Sequence, residues 1–203
     1  MLALQLNQTR SATGELYYYL NKTTEAQAEF LSPALKTLVH IQGSSDDPVR
    51  DVSFVNLTWS YTAATYLEPY SAELGGGDYS SHIRSAALFA VGVDGLSVDN
   101  CVFSDVGGNA VLLYSYIRNA LIANSEFVRT GAHAIISVGT SKMVDGTGPD
   151  HPHGTVIEGN LAREHHWPPI CYGYLLKKRL IHGAAHTART AQLEDRQFYS
   201  EYF

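Results

Sequence analysis

Apolar residues recur at every second position in several short stretches of this chain. In VRDVSF (49–54) Val52 and Phe54 alternate with polar neighbours, and in GLSVDN (95–100) Leu96 and Val98 do the same. A period of two sends one face of a strand into a core and the other into water. The stretches are rich in β-branched and aromatic residues and end at Asn or Gly corners. Almost nothing between residues 38 and 164 carries a helical period.

The pattern also repeats at longer range. NCVFSDVGGNAV (100–111) returns as NSEFVRTGAHAI (124–135), with Asn, Phe, Gly and Ala in matching places. Asn100 follows Leu96 and Val98 and precedes Phe103. Asn124 has Ala120, Ile122 and Phe127 in those places, and Asn56 has Val52, Phe54 and Trp59. Asn160 fits more loosely, with Val156 four residues before it and Glu158 two before it. The intervals are 44, 24 and 36, which is a unit of 24 carrying insertions of 20 and 12.

A period in the twenties marks a solenoid, in which each coil buries its apolar face against the next. Leucine-rich repeats are the rival, but no leucine ladder and no return helix is visible. The expected fold is all-β: a right-handed parallel β-helix of about four coils over residues 38–164, with insertions near 60–85 and 139–153. Residues 1–37 form an N-terminal cap region, in which GELYYYL is expected to pair with the first edge. Asn at one corner of every coil is expected to stack as an amide ladder. Four coils are few, so the stack reads as part of a longer helix whose uncapped end would self-associate.

Composition narrows the partners. The formal net charge is −6 and charged residues make up 17% of 203. No run of Lys or Arg occurs before residue 176, so nucleic acid is not an expected partner. No apolar run is long enough for a bilayer, and MLALQLNQTR does not read as a secretory signal. Cys101 and Cys171 make neither a disulfide framework nor a zinc site, and Cys101 reads as a small buried residue. Sequons occur at Asn7, Asn21 and Asn56, the last read as a structural corner.

The order of GELYYYL, LVHIQGSSDDPVRDVSFVNLTWSYTAATYLEPY and GGGDYSSHIRSAALFAVGVDGLSVDNCVFSDVGGNAV resembles the right-handed β-helix repeat proteins of the pectate-lyase-like superfamily. Some of these are similar to β-helical glycoside hydrolases. The resemblance covers about residues 14–164. It implies a mainly secreted, extracellular protein that meets polysaccharides or oligosaccharides, with a glycoside hydrolase as parent and no cofactor. A non-catalytic carbohydrate-binding module is the first alternative and a polysaccharide lyase the second. Residues 165–203 depart from the pattern: HHWPPICYGYLLKKRLIHG lacks the anchor and carries the first dense basic cluster. They read as an atypical tail, out of frame or disordered, with a short helix near ARTAQLEDRQFY.

Candidate site residues fall mostly in the insertions. YLEPYSAELGGGDYSSHIR offers Asp78, Tyr79, His82 and Arg84 as a sugar-binding lip. SVGTSKMVDGTGPDHPHGT offers Lys142, Asp145, Asp150, His151 and His153. His-Pro-His is too little for a metal site, and none is expected. Ser85, Asn109 and His133 share a register and should line one column, with His133 beside Arg129 facing a groove or an exposed corner. Asp94 over Arg118 and Asp105 over Arg129 read as surface ion pairs between coils. A glycosidase needs two opposed carboxyls, for which Asp78, Asp105, Asp145 and Asp150 are candidates; no catalytic residue is assigned. A lyase wants clustered acids for a cation, and no such cluster appears.

Overall fold

The computed structural model describes residues 31–65, 85–139 and 150–164, and the backbone of 170–172, 181–182 and 185–187. Every regular element among them is a strand, and every strand pairing is parallel. GELYYYL and ARTAQLEDRQFY lie outside the described residues.

The chain runs in circuits. The first holds β1 (Val39–Gln42), β2 (Val49–Val55) and β3 (Thr58–Thr62), and the second holds β4 (Ala86–Asp99) and β5 (Val102–Val106). The third holds β6 (Asn109–Arg118), β7 (Leu121–Ala123) and β8 (Glu126–Thr130). The fourth holds β9 (Ile135–Val138), β10 (Val156–Glu158) and β11 (Leu161–Arg163). Past Glu164 the ladder goes on with β12 (Ile170–Tyr172), β13 (Ile181–His182) and β14 (Ala185–Thr187), which pair with β9, β10 and β11.

Each circuit has three sides. Side A contains β1, the first half of β4, the first half of β6, β9 and β12. Side B contains β2, the second half of β4, the end of β6, β7, β10 and β13. Both belong to one nine-stranded sheet, because β4 and β6 run through the bend between them. The bend falls at Gly92 and Ser115, both with positive φ, and a register shift lets the third circuit take one extra residue there. Side C is the five-stranded sheet β3, β5, β8, β11 and β14.

Register explains the sequence repeat. On side A, Leu88 lies on Val111 and Val111 on Ile135. On side B the column is Phe54, Val98, Ile122 and Ile157. On side C it is Trp59, Phe103, Phe127 and Ala162. These columns meet in one core, in which Leu88, Val98, Phe103, Val111 and Ile122 are fully buried. Trp59, Phe103 and Phe127 stack face to face, with centroids 5.3 and 5.0 Å apart. That spacing is close to the roughly 4.8 Å between neighbouring strands.

The corners need left-handed backbone, which L-residues adopt at a cost and Asn, Asp and Gly adopt most readily. Asn56, Asn100 and Asn124 all have positive φ at the corner between sides B and C. The fourth member of this column is Gly159, with φ +63, and not Asn160. The last interval is therefore 35, as the pairing of Glu126 with Leu161 requires. The amide ladder is correspondingly partial. Asn100 donates to Asn56 Oδ1 at 2.6 Å, but Asn124 turns its amide to Asp99 at 2.9 Å.

Asn160 stands one place further on and points inward. Its Oδ1 accepts from Ser125 N at 2.8 Å and its Nδ2 donates to Ile122 O at 2.7 Å. Ser125 Oγ in turn accepts from Cys101 N at 3.0 Å and donates to Ala123 O at 2.8 Å. Removing the amide strands a buried N–H and a buried carbonyl. Asn160→Ala should cost about 1–3 kcal/mol, read as a fall in the urea midpoint with an unchanged slope. A midpoint within error of the parent would show that these groups find other partners.

Large exposed apolar side chains concentrate at one end. Among the described residues they are Leu35, Leu38, Val55 and Leu57, all on or beside the first circuit. Their counterparts one circuit on are covered on both sides by neighbours.

Candidate functional site

Side A carries apolar residues on both faces. SAALFAVGV (85–93) and AVLLYSYI (110–117) run without alternation, the mark of a strand covered on both sides. The inward set is Leu88, Ala90, Val111, Leu113 and Ile135. The outward set forms a separate cluster of Ala86, Leu112, Ile136 and Val138, with Phe89 and Tyr114 packed against it.

Towards the first circuit this outer face ends in an aromatic row. The His40 ring stacks on Phe89 with centroids 4.8 Å apart and planes 9° from parallel. Tyr114 meets Phe89 edge to face at 6.2 Å. His40 is exposed, and Phe89 and Tyr114 are half-buried. Cross-strand register places them: His40 pairs with Phe89, and Tyr114 lies diagonally one strand further on. Flat apolar rings with polar edges suit ligands that are themselves amphipathic.

Both insertions are joined to side A strands at their described ends. The first enters side A at Ser85, immediately before β4, and the second leaves it after Val138, at the end of β9. All side A strands are parallel, so these two points of attachment, Ser85 and Val138, are at opposite strand ends. The return of the second is clamped to β6. Arg118 Nη1 donates to Ile117 O at 2.8 Å and to His151 O at 2.7 Å, and its guanidinium lies 4.1 Å above the Tyr116 ring. His153 N donates to Ile117 O, and Asn119 N to His153 O. His151 is buried against Gly139, and its Nδ1 has no hydrogen-bond partner among the described residues.

The sequence-derived site residues scatter around this arrangement. Asp78, Tyr79, His82, Arg84 and Asp145 lie outside the described residues, as does Lys142. Asp150 stands half-buried at the end of the second insertion, on the border of side A. Arg129 is on side C, at a left-handed corner. Its Nε and Nη2 grip both Asp105 oxygens at 2.7 and 2.8 Å, and Glu164 lies 3.9 Å from Nη1. The hydrogen-bonded Asp105 carboxylate holds the Arg129 guanidinium above its ordinary pKa against the opposing pull of burial. Asp105 is thus committed to an ion pair on side C.

His133 corrects the expectation of a groove or exposed corner. The expected column is off by one at its first member: β4 sets Ala86, not Ser85, against Asn109, although the Asn109 side chain still donates to Ser85 O at 2.9 Å and accepts from His133 N at 3.1 Å. His133 itself is only 2% exposed. The corner turns inward there, and the apolar pair Ala134 and Ile135 draws the chain into the core. Asp94 and Arg118 do share a register position, but Asp94 takes Arg50 at 2.9 Å and Asn119 at 2.9 Å.

Sequence reasoning passed over His40, Phe89 and Tyr114. The signal for Phe89 and Tyr114 was the loss of alternation in SAALFAVGV and AVLLYSYI. No set of three or more His, Cys, Asp or Glu among the described residues is arranged to hold a metal ion. No helix among them is long and apolar enough to cross a membrane. No family model, no curated protein and no solved structure matches this chain.

Proposed function

We propose that this chain is a right-handed parallel β-helix of the pectate-lyase-like kind that binds polysaccharide in an extracellular setting. Parallel pairing throughout and a 24-residue circuit support the architecture. Its handedness follows from the strong preference of parallel crossover connections for the right hand. The observation that carries the binding reading is the His40, Phe89 and Tyr114 row on side A, to whose strands both insertions are joined. Sugar rings present C–H faces that stack on aromatic planes, while hydroxyls turn to polar groups at the rim. The insertion sequences contain candidate groups of that kind in Asp78, Tyr79, His82, Arg84, Asp145 and Asp150.

A hydrolase reading uses the same face. It would draw its two carboxyls from Asp78, Asp145 and Asp150, since Asp105 is occupied by Arg129 on another side.

The test is affinity electrophoresis of the full chain through neutral and uronate-containing polysaccharides, with a reducing-end assay alongside. Retardation in at least one gel is expected, and Phe89→Ala should weaken it about tenfold, near 1.4 kcal/mol. Circular dichroism of the variant guards against unfolding. Migration unaffected by every polysaccharide, or by the substitution, would remove the reading. Reducing ends released by the parent chain would favour a hydrolase over a binding module.

A further inference from the structure

The corner at Asn56 does more than turn the chain. We propose that Asn56 is an acceptor for an N-linked glycan, an inference that rests on the extracellular setting of the proposed function.

Asn56-Leu57-Thr58 is a sequon, with a hydroxyl two residues after the amide. A sequon is usable in the folded protein only where the Asn is exposed and its amide nitrogen can carry the sugar. Asn56, Leu57 and Thr58 are all exposed. Asn56 also belongs to the first circuit, so among the described residues only one of its flanks is covered by a neighbouring corner.

The side-chain geometry separates the two amide atoms. Asn56 Oδ1 faces the second circuit and accepts from Asn100 Nδ2 at 2.6 Å. Nδ2 therefore points away from that contact. The equivalent amides further along are committed: Asn100 Nδ2 to Asn56, and Asn124 Nδ2 to Asp99 at 2.9 Å. Of the three corner asparagines only Asn56 is followed at the second position by Ser or Thr, since Val102 and Glu126 stand there in the others.

Transfer would come from a lipid-linked oligosaccharide diphosphate. The bond from the sugar C1 to the diphosphate oxygen breaks and a bond from C1 to Nδ2 forms. Nδ2 gives up one proton and the lipid diphosphate leaves. Nδ2 keeps its second hydrogen and Oδ1 is untouched, so the rung to Asn100 and the left-handed corner both survive. The glycan would stand beside Val55 and Leu57, which are 49% and 44% exposed. It would shield the apolar end of the stack.

The experiment expresses the full chain behind a cleavable secretory leader in eukaryotic cells, with a C-terminal tag carrying a sequon known to be modified. Secreted protein is treated with peptide N-glycosidase in heavy-oxygen water and mapped by mass spectrometry. The expected result is conversion of Asn56 to labelled Asp, lost in Thr58→Ala, with both forms eluting as folded protein. Asn56 unlabelled in molecules whose tag is labelled would overturn the proposal. So would occupied molecules that aggregate while Thr58→Ala molecules fold. Polysaccharide retention of the Thr58→Ala form is scored separately, so loss of the binding reading leaves a distinct signature.

Discussion

Phe103→Ala should lower stability by about 3–5 kcal/mol, the range for truncating a buried aromatic residue. Phe103 is fully buried and sits between two rings, Trp59 at 5.3 Å and Phe127 at 5.0 Å, both 10° from parallel. Deleting it opens a gap between rigid planes carried on separate strands. Those strands are held in register by β3–β5 and β5–β8 pairing, so they cannot close over the hole. A loss of that size is a large share of the roughly 5–15 kcal/mol that stabilises a folded domain. Urea unfolding followed by far-ultraviolet dichroism measures it. Phe127→Ala should cost less, because beyond Phe127 the column continues as Ala162, which leaves that side less tightly filled. Equal losses for the two variants, or a loss for Phe103→Ala below about 1 kcal/mol, would contradict the ring column as a main prop of the core.

Gly92→Ala should be nearly as damaging, at about 2–5 kcal/mol from two sources. Gly92 has φ +64, where a Cβ costs roughly 1–2 kcal/mol. A Cβ there would also collide with the backbone of Gly43, which adds a further overpacking cost of about 1–3 kcal/mol. The neighbour is main chain and cannot rotate aside. Gly43 N donates to Val91 O at 2.8 Å, so the two corners are already in contact. β1 and β2 both pair with β4 on either side of this point, and the first circuit should detach before the rest. Gly154→Asn is the control. Gly154 has φ +71, but the nearest atom to an added Cβ is the movable Asn119 Oδ1 at 3.1 Å. Asn119 holds the same corner one circuit earlier with φ 52, so Asn is already accepted in this column. Hydrogen exchange of β1 and β2 amides should accelerate in Gly92→Ala and stay unchanged in Gly154→Asn. Acceleration in both, or in neither, would show that the Gly43–Gly92 contact does not control the first circuit.

The circuit was readable in the sequence because one physical constraint, strand register, forces like residues over like. Phe103 over Phe127 and Asn100 over Asn124 are the same fact seen in text and in space. The misreading of Asn160 has the same origin. A left-handed corner accepts Gly as well as Asn, so Gly159 fills the place and releases Asn160 to bond inward. The burial of His133 was not legible, because a polar residue at a corner reads as exposed unless the direction of the turn is known. The aromatic row on side A was hidden for another reason. Two-sided burial erases alternation, so Phe89 and Tyr114 blend into apolar runs that look like ordinary core. The Arg118 clamp could not be foreseen either, since its acceptors are main-chain carbonyls that leave no trace in residue type.

The unequal intervals carry a last consequence. One circuit closes in 24 residues, the step from the first to the second takes 44 at Asn56–Asn100, and the step from the third to the fourth takes 35 on side C. The parallel ladders pass these surpluses without losing step. Lengthening a closed loop costs little, about 0.6 kcal/mol for each doubling. Heritable change in this molecule can therefore be partitioned. Corners beside side A are free to gain, lose or exchange segments, while the columns beneath answer only to packing, so new recognition can be tried out there without putting folding at risk.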